Sequence, residues 1–196
     1  MKQLGSRQSI PSLHIISQFY DHPAFVEAFA KRINDYQPGN YDHILFSYHG
    51  LPNRQINKIH PQVPVHNCHC ENEMPPHGSL CYRAQCFATT RLLAGKLDLP
   101  PERYSTAFQS RLSKNWMTPF ADKTIVELAE KGIRKLLVVA PSFVADCLET
   151  TVEIGFEYDE LFIKSGGEKL QLVESLNSED CWVEALMEIF GEDVRR

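Results

Sequence analysis

Short apolar runs alternate along the chain with longer segments in which apolar residues recur with helical period. The apolar runs have the length of strands, and strands are predicted at residues 13–17, 43–47, 105–109, 135–139 and 169–173. Helices are predicted in the longer segments, at residues 23–36, 82–96, 118–131, 146–161 and 179–190. This alternation predicts an α/β fold with a parallel sheet of four to five strands, flanked by helices on both faces.

Local sequence signals support the ends of three predicted helices. Asp21, His22 and Pro23 combine a capping side chain with an early proline, which is typical of a helix N-terminus. Gly132 is placed to end the helix that precedes it. Asn177 opens a short run of capping oxygens and negative charges that suits the start of the last helix.

The composition is that of a globular domain, which we expect to span residues 1–196 as one lobe. Hydrophobic residues make up 43% of the chain and charged residues 23%, which provides enough apolar material for one substantial core. The net charge of −5 leaves no basic stripe, so we expect no nucleic-acid partner. No apolar run approaches the roughly 20 residues of a transmembrane helix, and no signal-peptide pattern is present, so we predict a cytoplasmic protein.

The stretch FSYHGLPNRQ at residues 46–55 places a histidine and a glycine where the second predicted strand ends. Parallel α/β sheets carry their reactive groups beyond the carboxyl ends of the strands, so His49 is a candidate catalytic group. The alternative is a solvated loop histidine, and the local sequence leaves both interpretations open.

Three glutamates follow the fourth apolar run at intervals of four residues: Glu149, Glu153 and Glu157. Positions four apart drift by only about 40° around an α-helix, so the three carboxylates form a ridge along one face. A ridge of carboxylates that leads to a histidine can conduct a divalent cation or accept protons, because oxygens bind such ions and imidazole titrates near neutrality. The alternative is an acidic helix face that is simply solvated.

Four of the six cysteines, namely Cys68, Cys70, Cys81 and Cys86, lie within 19 positions with the spacing C-x-C-x10-C-x4-C. They belong to a segment rich in proline and histidine, residues 53–86, which is predicted to be an irregular loop. In a reducing compartment this clustering favours metal ligation over disulfides. Four thiolates can close a tetrahedral zinc site or hold a [2Fe–2S] cluster, and unmetallated thiols are the remaining alternative.

Other histidines and cysteines are weaker candidates. His66, His69 and His77 lie in the same loop and can replace a thiolate as metal ligands. Cys147 and Cys181 stand apart and are expected to be ordinary thiols. The remaining histidines expected to be exposed or hydrogen-bonded are His14, His22, His43 and His60.

Five motifs in order resemble the ferrochelatase family, whose members insert ferrous iron into a porphyrin in haem synthesis. The motifs are FYDHPAFVEAFA at 19–30, LFSYHGLP at 45–52, FQSRLSKNWMTPF at 108–120, FVADCLETTVEI at 143–154 and SGGEKLQLVESLN at 165–177. The resemblance covers nearly all of this chain but only the C-terminal half of the family. It implies a Rossmann-like, chelatase-like lobe, with the N-terminal lobe that contributes to the porphyrin cleft absent from this chain.

The resemblance implies catalytic roles for particular residues. His49 matches the family's active-site histidine, which is proposed to accept pyrrole protons or to bind the incoming metal. Glu149 matches the glutamate that faces this histidine across the macrocycle, while Glu153 and Glu157 match an acidic line on a helix of π character. Several family members carry a second histidine where this chain has Cys147, so no role of that histidine is transferred.

The resemblance also implies three residues of the substrate-binding surface: Trp116, Phe143 and Asp146. Trp116 and Phe143 lie in motifs that enclose the macrocycle, and aromatic side chains supply the rigid apolar walls that this requires. An ordinary core position is the alternative for Trp116. Arg111 can pair with a porphyrin propionate or with a nearby acid.

Some bacterial ferrochelatases hold a [2Fe–2S] cluster on four internal cysteines in this region, so the resemblance implies the same cluster here. The implied substrates are ferrous iron and either protoporphyrin IX or coproporphyrin, with peripheral association at a membrane where the porphyrin dissolves. Two other functions stay open. One is a non-catalytic iron–sulfur or porphyrin-binding module, and the other is a chelatase that inserts cobalt or nickel into another tetrapyrrole.

Overall fold

The computed structural model describes residues 15–194, and four parallel strands form its sheet. The strands are β1 (His43–His49), β2 (Tyr104–Gln109), β3 (Lys135–Val139) and β4 (Lys169–Leu172). Their order across the sheet is β2-β1-β3-β4, and every neighbouring pair is parallel. The predicted α/β fold with a parallel sheet is therefore confirmed.

Helices cover both faces of this sheet, each with its own apolar core. The helices are α1 (Pro23–Asp35), α2 (Asn53–Ile59), α3 (Tyr82–Lys96), α4 (Ala121–Glu130), a π helix (Glu149–Tyr158), α5 (Asp159–Lys164) and α6 (Asp180–Val194). Successive residues of β1 point to opposite faces: Ile44 and Phe46 join the core beneath α1, α3 and α6, whereas Leu45 joins the core beneath α4 and α5.

The carboxyl ends of the three strands β1, β2 and β3 meet at one edge of the sheet, which is where the candidate chemistry lies. His49 ends β1 and is in register with Gln109, the last residue of β2. Phe46, three residues earlier, is in register with Val139 at the end of β3. The loops after these strands are consequently brought side by side.

The structure corrects several predicted boundaries. Of the strand predicted at 13–17, residues 13 and 14 lie outside the described residues, and residues 15–17 form no strand. The helix predicted at 146–161 begins only at Glu149, as a π helix, and continues as α5 to Lys164. The helix predicted at 118–131 begins only at Ala121 and ends at Glu130, because the backbone of Phe120 before it is extended. By contrast, β3 and α3 have the predicted bounds.

The cysteine-rich loop contains more regular structure than the sequence indicated. It includes α2 and two short 3-10 helices, Val65–Asn67 and Gly78–Leu80. The polar sequence NRQINKI shows no apolar stripe, since Ile56 is the one residue of α2 that is buried. Tertiary packing of that single side chain and hydrogen bonds thus stabilise a helix that periodicity cannot reveal.

No helix in the described part of the chain is long and apolar enough to span a bilayer.

Candidate active site and cysteine pocket

His49 lies half-buried at the end of β1, between two aromatic side chains. The centroid of its ring is 6.3 Å from that of Trp116 and 6.2 Å from that of Phe143. Its backbone N–H donates a hydrogen bond of 3.4 Å to the hydroxyl of Ser142, in the loop that follows β3. The structure therefore brings together three of the predicted site residues, one from the end of β1 and two from the loops that follow β2 and β3.

The residue after His49, Gly50, is a glycine because the backbone at this position lies very close to β2 and to Trp116. Its backbone N–H donates to the carbonyl oxygen of Gln109 at 2.9 Å, which holds the chain close to β2 as it leaves the sheet. A Cβ at this position would lie only 2.9 Å from the same oxygen and 3.4 Å from the Trp116 ring. The close approach that positions His49 against Trp116 is thus open to glycine alone.

Trp116 is half-buried and not a core residue, so its ring retains an exposed surface beside His49. Its segment is fixed to the loop after β1 by backbone hydrogen bonds on either side. Asn53 donates to the Asn115 carbonyl at 2.9 Å, and Met117 donates to the Leu51 carbonyl at 3.0 Å. Two adjacent loops therefore carry the histidine and the tryptophan as one rigid unit.

Glu149 opens the π helix and lies close enough to His49 for the two to interact electrostatically. The side chain of Gln109 donates to the Glu149 carbonyl at 3.0 Å and so ties the helix start to β2. Hydrogen bonds to the carboxylate from its own backbone N–H and from Cys147 lower the pKa of Glu149, and the nearby imidazole lowers it further. Glu149 is accordingly an anion close to the His49 imidazole.

Glu153 is held by three hydrogen bonds. The backbone N–H and hydroxyl of Ser110 donate to its two oxygens at 2.8 Å and 2.5 Å, and the Tyr158 hydroxyl donates at 2.8 Å. Ser110 has a left-handed backbone with φ of 59°, which turns its N–H toward the carboxylate. Glu153 consequently anchors the π helix to the end of β2, while Glu157 remains exposed to solvent.

The three glutamates line one shallow cavity of about 290 Å³, which we call the acidic groove and define by Leu148, Glu149, Val152, Glu153 and Glu157. Beside the acids, the π helix exposes large apolar side chains. Leu148 is 74% exposed, Val152 42% and Phe156 60%. The same helix therefore offers carboxylates for a cation and an unpartnered apolar surface for a hydrophobic molecule.

Asp146 has both carboxylate oxygens engaged within the chain. The Asn177 side chain donates to one oxygen at 2.7 Å, and the Ser175 backbone N–H donates to the other at 3.0 Å. Partial burial disfavours ionisation, yet these hydrogen bonds outweigh it and lower the pKa of Asp146. Asp146 thus links the segment before the π helix to the segment after β4 through hydrogen bonds.

Arg111 is paired with an acid of the same chain. Its guanidinium donates to Asp122 at 2.5 Å and lies 4.5 Å from the centroid of the Phe120 ring. The pairing with a nearby acid that the sequence left open is therefore present in the structure.

The four clustered cysteines are all buried, with Cys70 and Cys81 fully inaccessible. Cys68 Sγ lies 3.4 Å from Nε2 of His77, and Cys81 Sγ lies 3.4 Å from Nε2 of His60. We call this group of side chains the cysteine pocket and define it by His60, Cys68, Cys70, His77, Cys81 and Cys86. Burial raises the pKa of the Cys70 thiol to about 12 and also raises the pKa values of Cys81 and Cys86.

Two arginines of α3 fasten the cysteine-rich loop. The buried Arg83 donates to Cys70 Sγ at 2.8 Å, forms an ion pair with Glu71 at 3.4 Å and lies 4.7 Å from the Phe87 ring centroid. About two turns further along α3, Arg91 donates to the carbonyls of Cys70 and Glu71 at 3.1 Å and 2.9 Å. These contacts hold the loop against α3 through protein groups.

His60 is the functional candidate that the sequence did not single out, although it is hydrogen-bonded as expected. It lies 5% exposed at the C-terminal end of α2, inside the cysteine pocket. The spacing H-x7-C-x8-H-x3-C from residue 60 to residue 81 is the signal that could have revealed it. His66 and His69, which were candidate ligands, are both exposed.

Comparison with known proteins bears on the whole site. A family model described as Ferrochelatase matches residues 1–194. The ferrochelatase of Pseudomonas putida is 39% identical over 194 residues, which cover 96% of this chain and 57% of that protein. The ferrochelatases of Coxiella burnetii and Legionella pneumophila are each 41% identical; the alignments cover 95% and 99% of this chain but 53% and 58% of those proteins.

The chain thus spans about half the length of the curated relatives that it matches. The family model nevertheless covers almost the whole of this chain. The match agrees with the order of the five motifs and with the parallel α/β fold. The chain belongs to the ferrochelatase family.

Proposed function

We propose that this chain provides the metal-inserting half of a ferrochelatase, a lyase that places ferrous iron in protoporphyrin IX or coproporphyrin. The observation that carries the proposal is the position of His49 at the sheet edge between the rings of Trp116 and Phe143, with the Glu149 carboxylate close enough to interact with it electrostatically. A flat apolar macrocycle suits such walls, and the exposed apolar side chains of the π helix extend them.

The chemistry asks for a base and an acidic path. A free-base porphyrin loses two N–H protons as the metal enters, so a base that titrates near neutral pH is required at the pyrrole nitrogens. His49 presents a ring nitrogen that can accept such a proton, and the same nitrogen can equally meet the incoming metal. Glu149, Glu153 and Glu157 line the path along which ferrous iron or released protons move, with Glu153 kept in position by Ser110.

Metal insertion can be measured in a chimaera in which this chain replaces the matching half of the Pseudomonas putida ferrochelatase. Loss of porphyrin fluorescence on addition of ferrous iron under anaerobic conditions reports insertion. We expect His49→Ala to lower the rate by about 100-fold or more, the usual effect of removing a general base. The exposed His66→Ala serves as the matched control. Full activity of the His49→Ala chimaera overturns the role of His49.

The four cysteines are proposed as ligands of a [2Fe–2S] cluster. Support comes from the burial of all four thiols within one pocket and from their mutual electrostatic interactions, which fit a compact set of thiolates. Cys68, Cys70, Cys81 and Cys86 would hold the group, which when bound supplies a one-electron redox centre. Anaerobic purification followed by iron and acid-labile sulfide analysis tests this, with about two of each expected per chain.

A further inference from the structure

We infer that His60, Cys68, His77 and Cys81 form a mononuclear metal site in the cysteine pocket, suited to Zn²⁺ and an alternative to the proposed cluster. The ligating atoms of His60, Cys68 and His77 all lie within 4.8 Å of one another. The fourth donor, Cys81 Sγ, is 3.4 Å from Nε2 of His60. Two imidazoles and one thiol thus lie within reach of a single ion, and the Cys81 thiol beside His60 is the fourth donor of the proposed site.

Two of the distances match the sulfur–nitrogen edge of a zinc tetrahedron. Bonds of about 2.3 Å to sulfur and about 2.0–2.1 Å to nitrogen set neighbouring sulfur and nitrogen ligands roughly 3.5 Å apart. Both sulfur–nitrogen pairs in the pocket, Cys68 with His77 and Cys81 with His60, are separated by 3.4 Å. Each of these sulfur–nitrogen pairs is within hydrogen-bonding distance, so a metal ion that binds between them replaces the thiol proton.

His60 is oriented as a ligand by its own backbone neighbourhood. Its Nδ1 lies 2.5 Å from the carbonyl oxygen of Val63, an atom that can only accept a hydrogen bond. Nδ1 therefore carries the ring proton, which leaves the lone pair of Nε2 directed at Cys81. A histidine that donates its other ring N–H to a carbonyl is the usual arrangement at protein metal sites.

The other sulfurs and histidines of the segment have different partners or positions. Cys70 Sγ accepts a hydrogen bond of 2.8 Å from Arg83, and Cys86 interacts with the Tyr82 hydroxyl. His66 and His69 are exposed on the outside of the loop. The mononuclear site consequently selects two of the four cysteines, whereas a [2Fe–2S] cluster needs all four.

The site joins the two helices that border the cysteine-rich loop. His60 directly follows α2 and Cys81 directly precedes α3, so one ion links both helix ends. Four protein ligands leave no open coordination position, which is the mark of a structural zinc site. Binding replaces one proton on each of Cys68 and Cys81 and leaves both imidazoles neutral, so two protons are released per ion when both thiols are protonated.

Zinc and the cluster are therefore alternative occupants of one pocket, since both use Cys68 and Cys81. The decisive measurement is made on the unaltered chain, stripped of metal by a chelator under reducing conditions and loaded with Zn²⁺ or with Co²⁺ as a spectroscopic probe. We expect one ion per chain, with X-ray absorption showing two sulfur and two nitrogen ligands. Four sulfur ligands, or no stoichiometric binding, overturn the proposal.

Variants identify the ligands individually. His60→Ala and His77→Ala are expected to weaken Zn²⁺ binding by about 100-fold or more, while Cys70→Ser and Cys86→Ser change it by less than about threefold. The opposite pattern contradicts the site. If His60→Ala fails to fold, the ligand count of the unaltered chain still decides. No porphyrin enters these measurements, so failure of iron insertion and failure of zinc binding are separate results.

Discussion

The acidic groove and the cysteine pocket both contain side chains that can bind a metal, but those of the groove are partly or fully exposed to solvent and most of those of the pocket are buried. In the groove, Glu157 is exposed, and Glu149 is half-buried within electrostatic reach of His49. In the pocket, Cys70 and Cys81 have no accessible surface, and every sulfur has a nearby protein partner. Exposed oxygens bind and release an ion rapidly, whereas buried thiols retain one. The difference in exposure supports the proposals that the groove transfers an ion and that the pocket retains one.

The largest effect is expected from Glu149→Gln, which removes the charge opposite His49 and keeps the shape. Iron insertion by the chimaera should fall by about 100-fold, because the anion that meets the cation and the imidazolium is lost. Glu160→Gln, on the exposed side of α5 where Glu160 pairs with Lys164, is the matched control. Equal rates for the two variants would remove Glu149 from the transfer path.

The next effect concerns the pocket and is one of stability. Arg83→Met keeps the length of the side chain but removes its hydrogen bond to Cys70 and its ion pair with Glu71. We expect the metal-free chain to lose about 2–3 kcal/mol of unfolding free energy, measured by urea denaturation.

The exposed Arg54→Met is the control and should stay within about 0.5 kcal/mol of the original chain. A similarly small change for Arg83→Met would mean that the contacts of Arg83 with Cys70 and Glu71 do not stabilise the loop.

Glu153→Gln tests whether Glu153 serves as an anchor of the π helix or as a metal ligand. Loss of the charge weakens the hydrogen bonds from Ser110 and Tyr158, at a cost of about 1–2 kcal/mol in thermal or urea unfolding. Glu157→Gln, on the same helix but exposed, should leave stability unchanged. If Glu153→Gln instead abolishes insertion at full stability, Glu153 acts as a metal ligand and not as an anchor.

The smallest effect is a pH dependence at the start of the π helix. The pKa of Asp146 is lowered in the folded state, so its stabilising contribution is present above the unfolded value of about 3.9 and disappears as the pH falls through the folded value. Asp146→Asn should therefore cost about 1 kcal/mol of unfolding free energy at pH 7, a figure reduced by partial exposure, and less at pH 3. Urea denaturation at both pH values measures the difference, and a cost that is independent of pH contradicts this role of the Asp146 carboxylate.

Much of the fold followed from the sequence because the signals are local. The bounds of β3 and α3 agree with periodicity, and His49 ends its strand where the FSYHG stretch indicated. Periodicity failed where a helix is short and polar, as in α2, or where π geometry replaces the 3.6-residue repeat after Leu148. Those elements depend on long-range contacts that no window of neighbouring residues contains.

The sequence by itself determined the alternation of strands and helices, the edge of the sheet at which His49 stands and the family to which the motifs belong. Only the tertiary structure decided the strand order β2-β1-β3-β4, the anchoring of Glu153 by Ser110 and the meeting of His60 with Cys81. The reason is physical: hydrophobic periodicity records which face of an element is buried, whereas pairing of polar groups depends on the path of the chain between them.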